Sequence, residues 1–141
     1  MKKLSFLFLS VIAILSCSKK DSNIACAKDA TSISGSYKLT ALIYKANASS
    51  PEQDILPLIN PEPCDQDDLY ILQTNGTYQL KDAGIVCSPP NDAYGTWSVA
   101  GNTMIMDGEN HTIETFDCKI LAISQTDQQS GEQIKATFTR Q

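Results

Sequence analysis

Histidine and tryptophan each occur only once in this 141-residue chain, as His111 and Trp97. A single histidine argues against His-based catalysis and against a His-rich metal site, since both need further partners around the imidazole. The sequence also contains no Gly-x-Ser-x-Gly nucleophile motif and no Cys-x-x-Cys metal motif. We therefore predict a non-enzymatic protein, and nothing in the sequence calls for a cofactor or a metal.

Basic residues are also scarce, with 11 Lys and Arg against 16 Asp and Glu and a formal net charge of −5. This balance provides no basic footprint for nucleic acid, so we expect no nucleic-acid partner. The length supports one folded domain. No stretch with helical periodicity occurs outside the N-terminal segment.

The N-terminal segment has the layout of a secretory signal. Lys2 and Lys3 precede a short apolar stretch, residues 4–15. Twelve helical residues rise about 18 Å, less than the roughly 30 Å of a bilayer core. A buried core helix is the alternative, but such a helix would normally be amphipathic rather than apolar all round.

The junction Ile14-Leu15-Ser16-Cys17 resembles a bacterial lipobox. The resemblance implies that residues 1–16 are removed and that Cys17 becomes a lipidated N-terminus, anchored through its acyl chains. A secreted protein with a coincidental cysteine is the alternative. Removal of Lys2 and Lys3 would change the net charge to −7. We interpret 17–32 as the lipidated cysteine with a polar tether, and 33–141 as the folded domain.

Four cysteines remain, and an even number in an exported chain suggests two disulfides with three possible connectivities. Asn75-Gly76 is a strong signal for a two-residue hairpin turn. An undisturbed ladder around that turn would place Cys64 opposite Cys87, although a bulge or a three-residue turn would shift the register. By elimination Cys26 would then pair with Cys118. Free buried thiols are the alternative.

Short segments rich in β-forming residues follow one another through the rest of the chain. The predicted strands are 35–45, 69–73, 77–82, 94–99, 103–106, 111–116, 119–124 and 133–140. Around a two-residue turn, Leu69, Ile71, Tyr78 and Leu80 would share one face of the hairpin. The mostly short connections predict an all-β fold, an eight-stranded antiparallel up-and-down barrel. An immunoglobulin-like sandwich is the rival, but its Cys and Trp spacing is absent.

One connection, residues 46–63, is long and holds four of the six prolines. Long loops in compact domains are usually functional or disordered, and the apolar residues Ile55, Leu56, Leu58 and Ile59 argue against disorder. We weigh two interpretations equally: a lid over the barrel mouth, and a surface loop that covers a sheet edge or barrel end. Asp65, Asp67 and Asp68 follow this connection. They lack the calcium-loop pattern, which favours solvated charges beside a turn.

Several motifs in order resemble the lipocalin-like domain of small lipoproteins of Gram-negative bacteria. They are Gly35-Ser36-Tyr37, the segment 64–68, Asn75-Gly76-Thr77-Tyr78, Cys87, Gly95-Thr96-Trp97 and the strand 102–106. Tyr37 stands where lipocalins carry Trp in Gly-x-Trp. The resemblance covers residues 33–141 and implies a lipocalin-like barrel tethered to the envelope, with the outer membrane as the expected location.

A barrel of eight strands can hold side chains or one small ligand. We therefore predict binding of a small apolar or amphiphilic molecule. The candidate contacts are Tyr37, Tyr78, Trp97 and the lid residues Ile55, Leu56, Leu58 and Ile59. The alternative is an accessory lipoprotein that docks on an envelope protein partner.

Overall fold

Strands dominate the regular secondary structure of the computed structural model, which describes residues 26–141; the predicted signal segment and Cys17 lie outside the described residues. In chain order the elements are α1 (Ala30–Ile33), β1 (Gly35–Lys45), β2 (Gln53–Asp54), α2 (Leu56–Ile59), β3 (Leu69–Leu72), β4 (Thr77–Lys81), β5 (Ala93–Ala100), β6 (Thr103–Met106), β7 (Glu109–Phe116), β8 (Ile120–Thr126) and β9 (Gln133–Arg140). Both helices are single turns.

The strands close into an eight-stranded antiparallel barrel. Sequential strands pair from β3 to β9, and β1 pairs with both β3 and β9 to complete the ring. The two-residue strand β2 is a ninth strand that pairs only with β1. The predicted fold class is confirmed, and β1, β6 and β9 begin and end at the predicted residues.

The β3–β4 register differs from the prediction by one residue. Leu72 pairs with Tyr78 and Tyr70 with Leu80, so the connecting turn has three residues, Thr74 to Gly76. Gly76 takes a φ of +86°, a conformation that suits glycine and closes such a turn. Because side chains alternate along a strand, the one-residue shift turns Tyr70 and Leu72 inward in place of Leu69 and Ile71.

Side chains fill the barrel interior. The buried core consists of Ile33, Tyr37, Leu72, Trp97, Met104, Ile113, Phe116, Leu121, Ile123 and Phe138. Tyr70 packs edge-on against Phe138, with ring centroids 5.1 Å apart. The interior cavity between Tyr37, Met104 and Phe138 measures about 10 Å³. That volume holds one water molecule at most, so the interior has no room for a ligand.

Residues 26–34 close one end of the barrel, which we call the base. Cys26 is bonded to Cys118 in the β7–β8 turn, as predicted, with Cα atoms 5.4 Å apart. Asp29 caps α1 by accepting a hydrogen bond from the Ser32 amide at 2.7 Å, and Ile33 is fully buried. The folded part therefore begins by residue 26, although the polar composition of 17–32 predicts a free tether.

The opposite end, which we call the rim, carries the β1–β3, β4–β5, β6–β7 and β8–β9 connections, because the strands alternate in direction. Segments 46–68, 82–92, 107–109 and 127–132 at the rim contain twelve of the 16 acidic residues and no Lys or Arg. The rim is therefore strongly negative. No helix within residues 26–141 is long and apolar enough to cross a membrane.

Candidate ligand-binding cleft

A gap opens in the barrel wall where β1 leaves β3. The two strands pair only from Gly35 to Tyr37, after which β1 continues alongside β9. The long β1–β3 connection returns to the outer part of β1, where Ile43 pairs with Asp54 in β2. Of the two interpretations of this connection, a cover for a sheet edge describes its β2 portion, which pairs with β1.

Helix α2 covers the gap immediately after β2. The Ile55 amide donates to the Leu42 carbonyl at 2.8 Å, and the Asp54 carboxylate accepts from the Leu56 amide at 3.1 Å. Pro57 lies in the first turn, where its missing N–H costs no helical hydrogen bond. These contacts fix the start of α2 against β1.

An open cleft of about 320 Å³ lies between β1 and α2. It is lined by Lys38, Leu39, Thr40, Leu56, Pro57, Asn60 and Gln66. This volume falls at the lower end of the range for small-molecule sites. Three of these residues are apolar and four are polar, and apolar atoms provide the larger part of the exposed lining, a composition that suits an amphiphilic molecule.

A smaller pocket of about 100 Å³, which we call the inner pocket, adjoins the cleft and shares Leu39, Asn60 and Gln66 with it. The remaining residues of the inner pocket are Asp65, Asp68, Tyr70, Leu80 and Asn91. Two carboxylates and three amides therefore meet at the inner end, next to the apolar side chains of β1, β3 and β4.

The β4–β5 connection, residues 82–92, forms the far wall and is fixed by carboxylates. Asp82, which is buried, accepts from the Cys87 amide at 3.1 Å and from the Asn91 amide at 3.1 Å. Asp67 accepts from the Ile85 amide at 2.8 Å. The predicted disulfide between Cys64 and Cys87 joins this connection to the long β1–β3 connection, residues 46–68, which we call the lid connection. The two Cα atoms are 5.2 Å apart.

Asp68 is 8% exposed, so its prediction as a solvated charge is wrong. Its Oδ1 atom accepts from the Ala83 backbone amide at 3.3 Å. The side-chain amide of Asn91 donates to the neighbouring Asp65 carboxylate at 3.1 Å. Burial raises the pKa of Asp68, and the nearby charges of Asp82 and Asp65 act in the same direction. The inner end of the pocket is therefore a site of unfavourable negative charge.

The four predicted lid residues divide into two pairs. Leu56 lines the cleft and Ile55 is half-buried, whereas Leu58 is 78% exposed and Ile59 57% exposed. One turn of helix can direct only part of its apolar residues toward β1. Leu58 and Ile59 are therefore not cleft contacts in this structure.

The three predicted aromatic contacts do not line the cleft. Tyr37 is fully buried beneath the base, and its hydroxyl donates to the Ile33 carbonyl at 2.7 Å. Trp97 is a core residue whose Nε1 donates to the carbonyls of Gln73 and Thr77 at 2.9 and 3.0 Å. Both rings serve packing because the barrel interior has no space left for a ligand.

Tyr78 is half-buried, and its hydroxyl donates to Asp107 Oδ2 at 2.5 Å. Burial, together with this carboxylate, raises the pKa of Tyr78 to about 12. Asp107 Oδ1 also accepts from the Thr96 amide at 2.8 Å. A side chain at Gly95 would collide with Tyr78 and Asp107, which explains the glycine. Tyr78 therefore fastens β4 to the β6–β7 turn.

Sequence reasoning missed most of the polar cleft residues. Asn60, Gln66 and Asn91 lie in irregular connections, where no periodicity indicates which way a side chain points. The one available signal was the acidic segment directly before β3, which we interpreted as solvated. Lys38 and Thr40 belong to a predicted strand, but they line the cleft only because β1 separates from β3 after Tyr37.

Cys64, Asp65 and Cys87 bring two sulfurs and a carboxylate oxygen within 4.8 Å of one another. Both sulfurs are bonded in the disulfide and so offer no thiolate to a metal. This group therefore fixes the wall of the pocket and gives no support to a metal centre.

Searches against protein families, curated proteins and solved structures returned no match to this chain. The functional argument therefore depends on the sequence motifs and on the geometry of the cleft.

Proposed function

We propose that this chain is a lipid-anchored, lipocalin-like lipoprotein of the Gram-negative cell envelope that binds a small amphiphilic molecule in the cleft beneath α2. The observation that carries the binding proposal is the open space of about 320 Å³ bounded by Leu39, Leu56 and Pro57 and adjoining the polar inner pocket. Apolar walls with a few polar groups at one end match an amphiphile.

The cleft replaces the barrel interior as the proposed ligand site. A cavity of about 10 Å³ excludes even a small ligand from the interior. The cleft is open along one side and needs no rearrangement of the core to admit a molecule. Binding in it would order the lid connection against β1, since Leu56 and Asn60 belong to that connection.

The proposed anchor orients the domain. Eight residues, 18–25, separate the proposed lipidated cysteine from Cys26, which is bonded at the base, so the two Cα atoms are nine residue steps apart. Fully extended, nine residues span at most about 32 Å. The base would therefore face the membrane, and the negatively charged rim would point away from it.

The anchor gives the first prediction. The chain purified from membranes of its native cells is expected to begin at Cys17 and to carry the added mass of the glycerol-linked acyl chains. Intact mass spectrometry measures both. Cys17→Ser is the control, because its hydroxyl cannot form the thioether. An unmodified Cys17, or a mature chain beginning elsewhere, would contradict the lipoprotein proposal.

The cleft gives the second prediction, tested on residues 26–141, within which the closed barrel and both disulfides are complete. Leu56→Ser is expected to weaken binding of 1-octanol about fivefold, equivalent to losing roughly 40 Å² of apolar contact at ~25 cal/mol per Å². Isothermal titration calorimetry measures the affinity, and amide NMR shifts at Leu39, Asn60 and Gln66 report the location.

Leu58→Ser is the matched control, since it makes the same substitution two residues along α2 at a side chain that is 78% exposed. It should leave the affinity unchanged within about twofold, because little buried contact is lost. Equal effects of the two substitutions, or shift changes spread over the whole barrel, would refute binding in the cleft.

A second candidate is docking on an envelope protein. Ile85 and Val86 in the β4–β5 connection are 60% and 59% exposed, and Leu58 and Ile59 are exposed in the neighbouring lid connection. Apolar side chains set in an acidic end suit a partner with a basic, partly apolar surface. Binding to such a partner that survives Leu56→Ser but fails after Ile85→Ser would favour docking over ligand binding.

A further inference from the structure

We propose that the cleft selects amphiphiles with a cationic head group, an ammonium, which is held in the inner pocket between Asp65 and Asp68 while the apolar chain lies along Leu39, Leu56 and Pro57. This inference depends on the proposed function and specifies its ligand class. It follows from the change in the lining, from the apolar residues of the outer cleft to the carboxylates of the inner pocket.

The inner pocket presents carboxylates without a balancing cation. Of the residues that line it in the described part of the chain, none is Lys, Arg or His. Asp68 is nine-tenths buried, and only neutral groups support its carboxylate: the Ala83 amide, which donates at 3.3 Å, and the Asn91 side chain. A buried carboxylate is costly unless it is paired, and a ligand ammonium would supply both the charge and the donors.

Asp65 adds a second carboxylate to the lining of the inner pocket. Its Oδ1 accepts from Asn91 Nδ2 at 3.1 Å, which holds the carboxylate in place beside the pocket. Asn60 donates to the Asp65 backbone carbonyl at 3.3 Å, so the segment that carries Asp65 is also tied to the end of α2. The two carboxylates are thereby positioned before a ligand arrives, which lowers the entropic cost of binding.

The outer cleft has the opposite character. Leu39, Leu56 and Pro57 line it, and its one charged residue in the described chain is Lys38. A positive group is therefore favoured at the inner end and disfavoured at the outer end. An anionic amphiphile would have to place its head against Asp65 and Asp68, or reverse and leave its apolar chain among carboxylates and amides.

The other acidic residues of the rim also favour a cationic ligand, through their longer-range electrostatic field. That field would attract any cation, so the test must separate it from local contact with Asp68. Glu52→Gln provides the separation. Glu52 is an exposed residue of the same connection that does not line the cleft, and its substitution removes the same unit charge.

The experiment compares octylammonium, 1-octanol and octanoate, which share an eight-carbon chain, by calorimetric titration of residues 26–141 below micelle-forming concentrations. Octylammonium is expected to bind at least about tenfold more tightly than 1-octanol, and octanoate more weakly than either. Asp68→Asn, which keeps the shape and the acceptor for Ala83, should remove most of the octylammonium advantage and leave 1-octanol unchanged. Glu52→Gln should reduce octylammonium binding by less than about twofold.

The outcomes distinguish the two proposals. Saturable binding of all three probes with equal affinity, or a preference for octanoate, would refute the selection of a cationic head group. The cleft would then remain a binding site. The same loss in Glu52→Gln as in Asp68→Asn also overturns it, since the effect would then come from net charge. Failure of every probe to bind refutes the proposed function itself. If Asp68→Asn does not fold, as shown by Trp97 fluorescence, Asp65→Asn provides the same comparison.

Discussion

Replacing Tyr37 with alanine is expected to lower the free energy of unfolding by about 3–5 kcal/mol, as for other buried aromatic side chains cut back to alanine. Tyr37 is fully buried, and its hydroxyl joins three elements at the base. It donates to the Ile33 carbonyl at 2.7 Å and accepts from Arg140 Nη2 at 2.6 Å. The substitution would remove the ring and leave these polar groups without their shared partner.

Arg140 makes the loss larger than that of the ring alone. Its guanidinium lies over the Tyr37 ring, 5.2 Å from the centroid, and donates to the carbonyls of Ser32 and Ser34 at 2.5 and 3.0 Å. Tyr37 thus positions the Arg140 cation, which connects residues 32–34 to β9. Burial raises the pKa of Tyr37, and Arg140 acts in the opposite direction.

Urea denaturation followed by the fluorescence of the single tryptophan, Trp97, measures the effect. Trp97 is 3% exposed, so unfolding transfers it from the core to water. Tyr37→Phe is the matched variant, because it keeps the ring and removes only the hydroxyl, at an expected cost of about 1–3 kcal/mol. A loss below about 1 kcal/mol for Tyr37→Ala would show that the ring does not support the core.

Removing the base disulfide should have an effect of similar size. Cys26 and Cys118 are 92 residues apart, whereas Cys64 and Cys87 are 23 apart. In the chain-entropy account, closing these loops stabilises the fold by about 4.6 and 3.4 kcal/mol respectively. The double variant Cys26→Ser/Cys118→Ser is therefore expected to be less stable than Cys64→Ser/Cys87→Ser by roughly 1 kcal/mol.

The two variants should also differ in function. Cys64→Ser/Cys87→Ser releases the lid connection from the β4–β5 connection and should weaken binding of 1-octanol. Cys26→Ser/Cys118→Ser affects the base, where neither cysteine lines the cleft or the inner pocket, and should retain binding under conditions in which it is folded. Denaturation and titration of the same two samples measure both effects. Loss of binding in the base variant alone would contradict the location of the site.

The barrel was predictable because its strands are separated by clear turn signals. Gly101 and Gly108 follow β5 and β6, and both take the positive φ that glycine adopts readily. The single-turn helices were not predicted. Four residues are too few to establish a period, and α1 exists because Asp29 caps it and Ile33 is buried.

The β3–β4 hairpin shows the limit of local signals. Asn75-Gly76 correctly marks the turn but does not fix its length. Asn75 Oδ1 accepts from the Thr77 amide at 3.0 Å, and Gly76 donates to the Gln73 carbonyl at 3.1 Å, which completes a three-residue turn. Burial of Leu72 in the core favours this register. The predicted Cys64–Cys87 pair is nevertheless correct, because both cysteines lie beyond the ends of the ladder.

The candidate site was the least predictable part. Aromatic residues at strand starts suggested ligand contacts, yet Tyr37 and Trp97 are needed to fill the interior. Whether a barrel interior is filled depends on the summed volumes of side chains from all strands. No single segment contains that information. The acidic segment before β3 was visible in the sequence, but its burial depends on the β4–β5 connection packed against it.

The sequence by itself determined the eight-strand pattern and the four partnered cysteines, because these depend on local periodicity and on parity, and its short N-terminal motif predicts the anchor. Only the tertiary structure decided the hairpin register, the filling of the interior and the cleft between β1 and α2. Each of these depends on which distant residues meet. Leu39, Leu56 and Asn60 line one cleft only because closure of the ring leaves β1 unpaired with β3 beyond Tyr37.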